Sequence, residues 1–136
     1  MGPLMEVTAA ALFPSLSESG GRVTGLRMPK DDPAWVLLDK SNMSGLAKQL
    51  EFLLQGIGSN RRGLDPSVTI DESNGLVHIV DGSLIGPSVH IEGPSYIAGE
   101  VRHGAYVRSH SWICRGAVVG HATEVKHSLL LPGAKA

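Results

Sequence analysis

From Ile85 onward an aliphatic residue returns at every sixth position with one slip: Ile85, Ile91 and Ile97, then Val101, Val107, Ile113, Val119, Val125 and Leu131. Small or short side chains follow most of them by four residues, at Val89, Ser95, Ala105, Ser111, Ala117 and Thr123. A helix repeats apolar residues at three and four and a half-buried strand at two, so neither produces a period of six. The pattern predicts a solenoid in which each hexad is one short side of a coil and its aliphatic side chain points inward. Three hexads close a turn, so residues 18 apart become vertical neighbours, one strand spacing of about 4.8 Å from each other. The interval from Ile97 to Val101 is four instead of six. Losing two residues preserves the in–out alternation of strands and predicts a tightened corner near Gly99. Upstream, Ile79 is in phase, 64–68 reads as a hexad, Ile70 begins another, and 71–75 is expected to loop outward. About four coils are expected in all.

The first half follows a different rhythm. Residues 1–30 carry no clear period. Asp32 followed by Pro33 reads as a helix start, with a capping carboxylate and Pro at the first helical position; 35–38 supply its apolar content and 41–44 break it. Leu46, Leu50, Leu53, Leu54 and Ile57 fall on one helical face, and Gly56 and Gly58 offer a stop. This apolar stripe is suited to covering the open N-terminal end of the solenoid or meeting a partner. Residues 59–63 (SNRRG) read as a linker. The expected organisation is an N-terminal helical and irregular segment, 1–63, and a β-helix domain, 64–136.

Composition narrows the chemistry. Hydrophobic residues make up 42% of the 136 positions and aromatics only 4%, so aliphatic and small side chains must fill the core. The 17 Gly and 8 Pro fit a coil with frequent corners. A net charge of −1 gives no global argument for nucleic acid or membrane. The charge is nonetheless segregated: 64–100 holds six acidic groups and no Lys or Arg, whereas 101–136 holds Arg102, Arg108, Arg115, Lys126 and Lys135 against Glu124, which gives 5 − 1 = +4. An anionic ligand would be drawn to the second stretch; the alternative is a solvated surface whose charges happen to segregate. Cys114, the one cysteine, permits no internal disulfide and has no evident base beside it. The start MGPLMEVTAAALFPSL lacks a basic leader and no run spans a bilayer, so a cytoplasmic location is the default expectation.

The run IGPSVHIEGPSYI…VRHGAYVRSHSWICRGAVVGHATEVKHSLLLPGAKA resembles the hexapeptide-repeat acyltransferases, which fold as left-handed parallel β-helices. Within that family RHGAYVR and VVGHATEVKHSLLLPGAKA look most like the acetyltransferase domain of the bifunctional enzyme that makes UDP-N-acetylglucosamine, and related sugar-phosphate nucleotidyltransferase homologues. The resemblance covers roughly the last half of the chain. It implies a trimer with sites between subunits, acetyl-CoA as donor and co-substrate, and an amino-sugar phosphate as acceptor. Arg108 in YVRS and Lys126 in EVKH match the family's basic residues that hold the sugar-linked phosphate. Their spacing, 126 − 108 = 18, independently places both on one face of successive coils, where an anion would relieve their repulsion. The alternative is two solvated side chains that splay apart.

Arg102, His103 and His121 are accessory candidates. The two histidines are also 18 apart and so should stack. The carbonic-anhydrase branch of this fold places three His around zinc between subunits, but here His127 belongs to another side; no metal is expected, and a zinc site remains the weaker alternative. In the family the general base is a His just beyond the segment matching PGAKA, followed by a substrate-binding Tyr and Asn and the coils that hold acetyl-CoA. None has a counterpart here, and no residue is assigned as that base. The nucleotidyltransferase half's Gly-rich signature is also missing. The expectation is therefore a truncated or divergent acyltransferase-type domain that binds a sugar phosphate or sugar nucleotide. The competing reading is a non-catalytic trimeric scaffold or regulatory subunit.

Overall fold

A computed structural model describes Leu26 and residues 33–136. The chain divides into two compact units, Met1–Gln49 and Leu50–Ala136. In the first, Ala34–Leu38 winds as a 3-10 helix after Pro33, in place of the α-helix expected there. The Asp32 assigned as its cap lies outside the described residues, as do 1–25. Val36 and Leu37 are buried, as is Leu26. Asp39 ends the 3-10 segment by accepting bonds from the Ser41 N–H and hydroxyl, at 3.0 and 2.7 Å, a local turn that competes with helix.

The α-helix α1, Leu46–Ile57, buries Leu46, Leu50 and Leu54 of the predicted face, leaves Leu53 half-buried, and exposes Ile57 at its end. Gly58 ends it in the left-handed region (φ 75), and its N–H caps the Leu54 carbonyl at 2.8 Å.

The second unit is a parallel β-solenoid of about three turns with three flanks. Flank 1 contains β1 (Thr69–Asp71), β4 (His90–Glu92), β7 (Tyr106–Val107) and β10 (Glu124–Val125). Flank 2 contains β2 (Val77–Ile79), β5 (Ser95–Ile97), β8 (Ser111–Ile113) and β11 (Leu129–Leu130). Flank 3 has β3 (Leu84–Ile85), β6 (Glu100–Val101) and β9 (Val118–Val119). All pairings are parallel. The expected count of about four coils includes a first pass that supplies few strands. Its Asn60, placed in the linker by the sequence, makes a parallel bridge to His78, and its side-chain amide caps the Ile79 carbonyl at 2.8 Å.

The hexad aliphatics form the core. Ile91, Ile97, Val101, Val107, Ile113 and Val119 are fully buried, and Val89, Ala105 and Ala117 fill the narrow corners beside them. Corners at 80–83, 102–105, 114–117, 120–123 and 131–134 are β-turns closed by an N–H of the fourth residue on the carbonyl of the first. Their third residues have positive φ, the type II geometry. At the corner entering flank 2 a serine hydroxyl substitutes for that N–H. Ser95 and Ser111, both fully buried, donate to the carbonyls of Glu92 and Arg108 at 2.7 Å.

Spacing between coils is not uniform. Val107 pairs with Val125, 125 − 107 = 18; Ile91 pairs with Val107, 107 − 91 = 16; Ile113 pairs with Leu130, 130 − 113 = 17. The 16-residue coil is the predicted slip, and its tight corner is at Gly99, where a Cβ would lie 2.7 Å from the Cys114 carbonyl oxygen and closer still to that of Ala117. The 17-residue coil corrects the reading of Leu131 as an inward residue. The corner after Val125 is one residue shorter than that after Val107, so Leu130 takes the inward place and Leu131 opens the last turn.

Flank 2 is covered. Trp112 lies between inward-facing Ser111 and Ile113 and so points outward, yet it is only 1% exposed. Its ring completes a ladder with His78 and Tyr96, with centroid separations of 5.8 and 5.5 Å. Two hydrogen bonds pin the second half of α1 here: His78 Nδ1 to the Gly58 carbonyl (2.9 Å) and His110 Nε2 to Glu51 Oε1 (3.1 Å). Seven helical residues span about 10 Å, which matches two strand spacings of about 4.8 Å. This part of the helix therefore crosses the strands along the solenoid axis instead of capping its end. Among the described residues no helix is long and apolar enough to cross a membrane.

Candidate functional site

Arg108 and Lys126 both follow inward valines, Val107 and Val125, so strand alternation turns both outward from flank 1. The Arg108 N–H donates to the Val125 carbonyl at 2.8 Å, which fixes the two residues on adjacent rungs. Extending the column downward adds Glu92 and then Asp71. One row of outward side chains thus reads Asp71, Glu92, Arg108, Lys126. A second row on the same flank reads Thr69, His90, Tyr106, Glu124.

The guanidinium of Arg108 is engaged from above and below. Its Nη1 donates to Glu124 Oε1 at 3.2 Å, and its Nε lies 3.5 Å from Glu92 Oε1. The second contact is an ion pair only: Nε is buried and has no acceptor in hydrogen-bonding geometry. The guanidinium carbon also lies 5.7 Å from the centroid of the Tyr106 ring. Glu92 is the hub. Its Oε2 accepts from the Tyr106 hydroxyl at 2.9 Å and its Oε1 from the Ser109 N–H at 3.4 Å. These donors, led by the Tyr106 hydroxyl, hold the Glu92 carboxyl below its ordinary range, with Arg108 adding to the effect. The same bond raises the Tyr106 phenol, and the Glu124 bond raises Arg108. Among the described residues the Lys126 ammonium has no ion-pair or hydrogen-bond partner.

The sequence singled out Arg108 and Lys126 but missed Glu92, Tyr106 and Glu124. The spacing that found the cations also relates Tyr106 to Glu124. Glu92 needed the two-residue slip to be carried through, because 108 − 16 = 92 whereas 108 − 18 = 90. No protein-family model, no curated protein and no solved structure matches the chain.

The accessory candidates lie elsewhere on the coil. His103 and His121 stack at the corner between flanks 3 and 1, with centroids 5.3 Å apart and planes within 11°. Their corner turns enter β7 and β10 from the end opposite Arg108 and Lys126. Among the described residues no three His, Cys, Asp or Glu side chains converge on a point that could hold a metal; His127 sits instead at the corner of His110, 6.0 Å between ring centroids. Arg102 pairs with Glu100 at 3.2 Å. Arg102 and His103 line an open groove of about 370 Å³ on flank 3, together with Leu84, Pro87 and Glu100. The groove does not reach Arg108 or Lys126. Cys114 is buried, and burial pushes its thiol up to about 12, which makes it a poor nucleophile.

Proposed function

We propose that this solenoid is an acyltransferase-type domain that binds a sugar phosphate or nucleotide-linked sugar on flank 1, with Arg108 and Lys126 holding the phosphate. The observation that carries this reading is the register of β7 against β10, which makes the two cations neighbours about 4.8 Å apart along the sheet. Like charges directly opposite each other on a sheet are destabilising. Guanidinium and ammonium donors that share one anion gain charge-assisted hydrogen bonds in place of that repulsion. Arg108 is also held in position before a ligand arrives, by Glu92 below and the Tyr106 ring beside it, which lowers the ordering cost of binding. A left-handed winding and a trimer with sites between subunits belong to the same reading; acetyl-CoA as donor and N-acetyl transfer are what the family resemblance implies, and no residue of this chain is assigned as the general base.

Calorimetric titration with glucosamine 1-phosphate and with UDP-N-acetylglucosamine tests it. Saturable binding is expected in the wild type, with loss of about tenfold or more in affinity in Arg108→Ala and in Lys126→Ala, since each removes a hydrogen-bonded charge. Equal binding by the wild type and both variants, or none by any, removes the clamp.

A further inference from the structure

We propose that Glu124 is a built-in competitor for the phosphate: its carboxylate occupies the Arg108 Nη1 that the ligand needs, and binding exchanges this internal anion for the external one. The inference rests on the phosphate reading above and adds a gate to it. The two carboxylates around Arg108 are not equivalent. Glu92 is 20% exposed in its side chain and is tied to Tyr106 and Ser109 as well as Arg108. Glu124 is 58% exposed, and among the described residues Arg108 is its only partner. Glu92 therefore stays and positions the guanidinium, while Glu124 can swing into water. An exposed ion pair of this kind is weak, so its release is a small opposing term.

The geometry also states where the ligand goes. Glu124 and Lys126 flank Val125, the inward residue of β10, and face outward together. An anion that takes the place of the Glu124 carboxylate on Arg108 is thereby brought beside Lys126. A phosphate dianion offers more acceptor oxygens and more charge than a carboxylate, and it can meet both cations. A sugar bearing only a carboxylate gains nothing over Glu124 itself. The site is thus selective for phosphorylated sugars over sugar acids.

The test is calorimetric titration of glucosamine 1-phosphate, and of glucuronate as the carboxylate probe, into the wild type, Glu124→Gln, Glu92→Gln, Tyr106→Phe, Arg108→Ala and Glu100→Gln. Glu100 lies on flank 3, so Glu100→Gln controls for the change in net charge. Expected are a gain in glucosamine 1-phosphate affinity of about two- to fivefold in Glu124→Gln, the worth of an exposed pair, no change in Glu100→Gln, weakening in Glu92→Gln or Tyr106→Phe, and loss in Arg108→Ala. Glucuronate should bind detectably only in Glu124→Gln. If Arg108→Ala abolishes binding but Glu124→Gln leaves it equal or weaker, the gate is wrong and the clamp stands. Equal gains in Glu124→Gln and Glu100→Gln reduce the effect to net charge and overturn it. No binding by any variant, Glu124→Gln included, removes both ideas.

Discussion

Gly99→Ala puts the coil geometry under direct strain. Gly99 turns the corner that the two missing residues have shortened, and it lies against the corner of the next coil. A Cβ there would be 2.7 Å from the Cys114 oxygen and nearer to that of Ala117. A carbon normally approaches a carbonyl oxygen to about 3.3 Å, so the two corners must separate by about 0.6 Å to clear the Cys114 oxygen and by more to clear that of Ala117. Both offending atoms are backbone, and neither can rotate away. The separation acts on the ladder bond from the Glu100 N–H to the Ala117 oxygen, now 2.9 Å, and takes it to the limit of a useful hydrogen bond. A lost bond costs about 1 kcal/mol, and overpacking a tight site about 1–3 kcal/mol. Together they predict destabilisation of about 2–4 kcal/mol. For a unit of this size that corresponds to a fall in Tm of about 8–30 °C, measured by far-UV circular dichroism and checked by urea midpoints. Gly56→Ala is the internal control. It is also a glycine replaced by alanine, but in the helix α1 with nothing within 4 Å of the added carbon, and it should stabilise by about 0.5–1 kcal/mol. A Gly99→Ala protein melting within about 2 °C of the wild type would refute the coil packing described here.

Two titrations follow from the buried and bonded groups. Cys114 is held neutral by burial, its thiol raised from the ordinary 9.0 to about 12; the stability this provides is complete below pH 9 and is lost as pH rises toward 12. Cys114→Ala should therefore lose less stability than the wild type between pH 8.5 and 11 by urea midpoints, and the native thiol should resist alkylation until the protein unfolds; rapid alkylation of the folded protein would contradict the burial. Glu92 has the opposite sign: its carboxyl is lowered, so its contribution is present above its ordinary 4.5 and lost as pH falls below it. Tyr106→Phe removes the largest cause, and the Glu92 resonance followed by NMR should then titrate at higher pH, while an unchanged midpoint would mean that the 2.9 Å bond is not formed.

The solenoid could be read from the sequence because its inward positions admit only aliphatic or small side chains, and the corners lie at constant intervals over most of its length. Vertical neighbours were correct wherever a coil holds 18 residues: Val107 with Val125, and the stacked His103 and His121. The shorter final corner escaped because 129–131 is a run of three leucines, and any of them satisfies a hydrophobic pattern. Only the backbone register selects Leu130. The covered flank escaped for another reason. His78, Tyr96 and Trp112 occupy outward positions that in a bare coil face water, and nothing in a six-residue period signals that a helix will lie over one side. Glu92 beneath Arg108 was lost to arithmetic: a uniform spacing of 18 places His90 there, and the real spacing of 16 places Glu92.

The segregation of charge along the chain acquires a physical meaning on flank 1. A row of stacked charges is most stable when signs alternate, since opposite charges across a ladder attract and like charges repel. The row Asp71, Glu92, Arg108, Lys126 instead places two anions below two cations. The lower pair is compensated locally: Asp71 accepts from the Ser73 N–H and hydroxyl at 2.9 and 2.6 Å, and Glu92 from Tyr106 and Ser109. Both carboxylates are lowered mainly by those neutral donors, so neither depends on a cation stacked over it. In the upper pair Arg108 has the Tyr106 ring beside it and Glu92 below, whereas among the described residues the Lys126 ammonium has no ion-pair or hydrogen-bond partner. Glu124 supplies one counter-charge, and it goes to Arg108. The repulsion left over is concentrated at Lys126, on the rung where an incoming anion would relieve it.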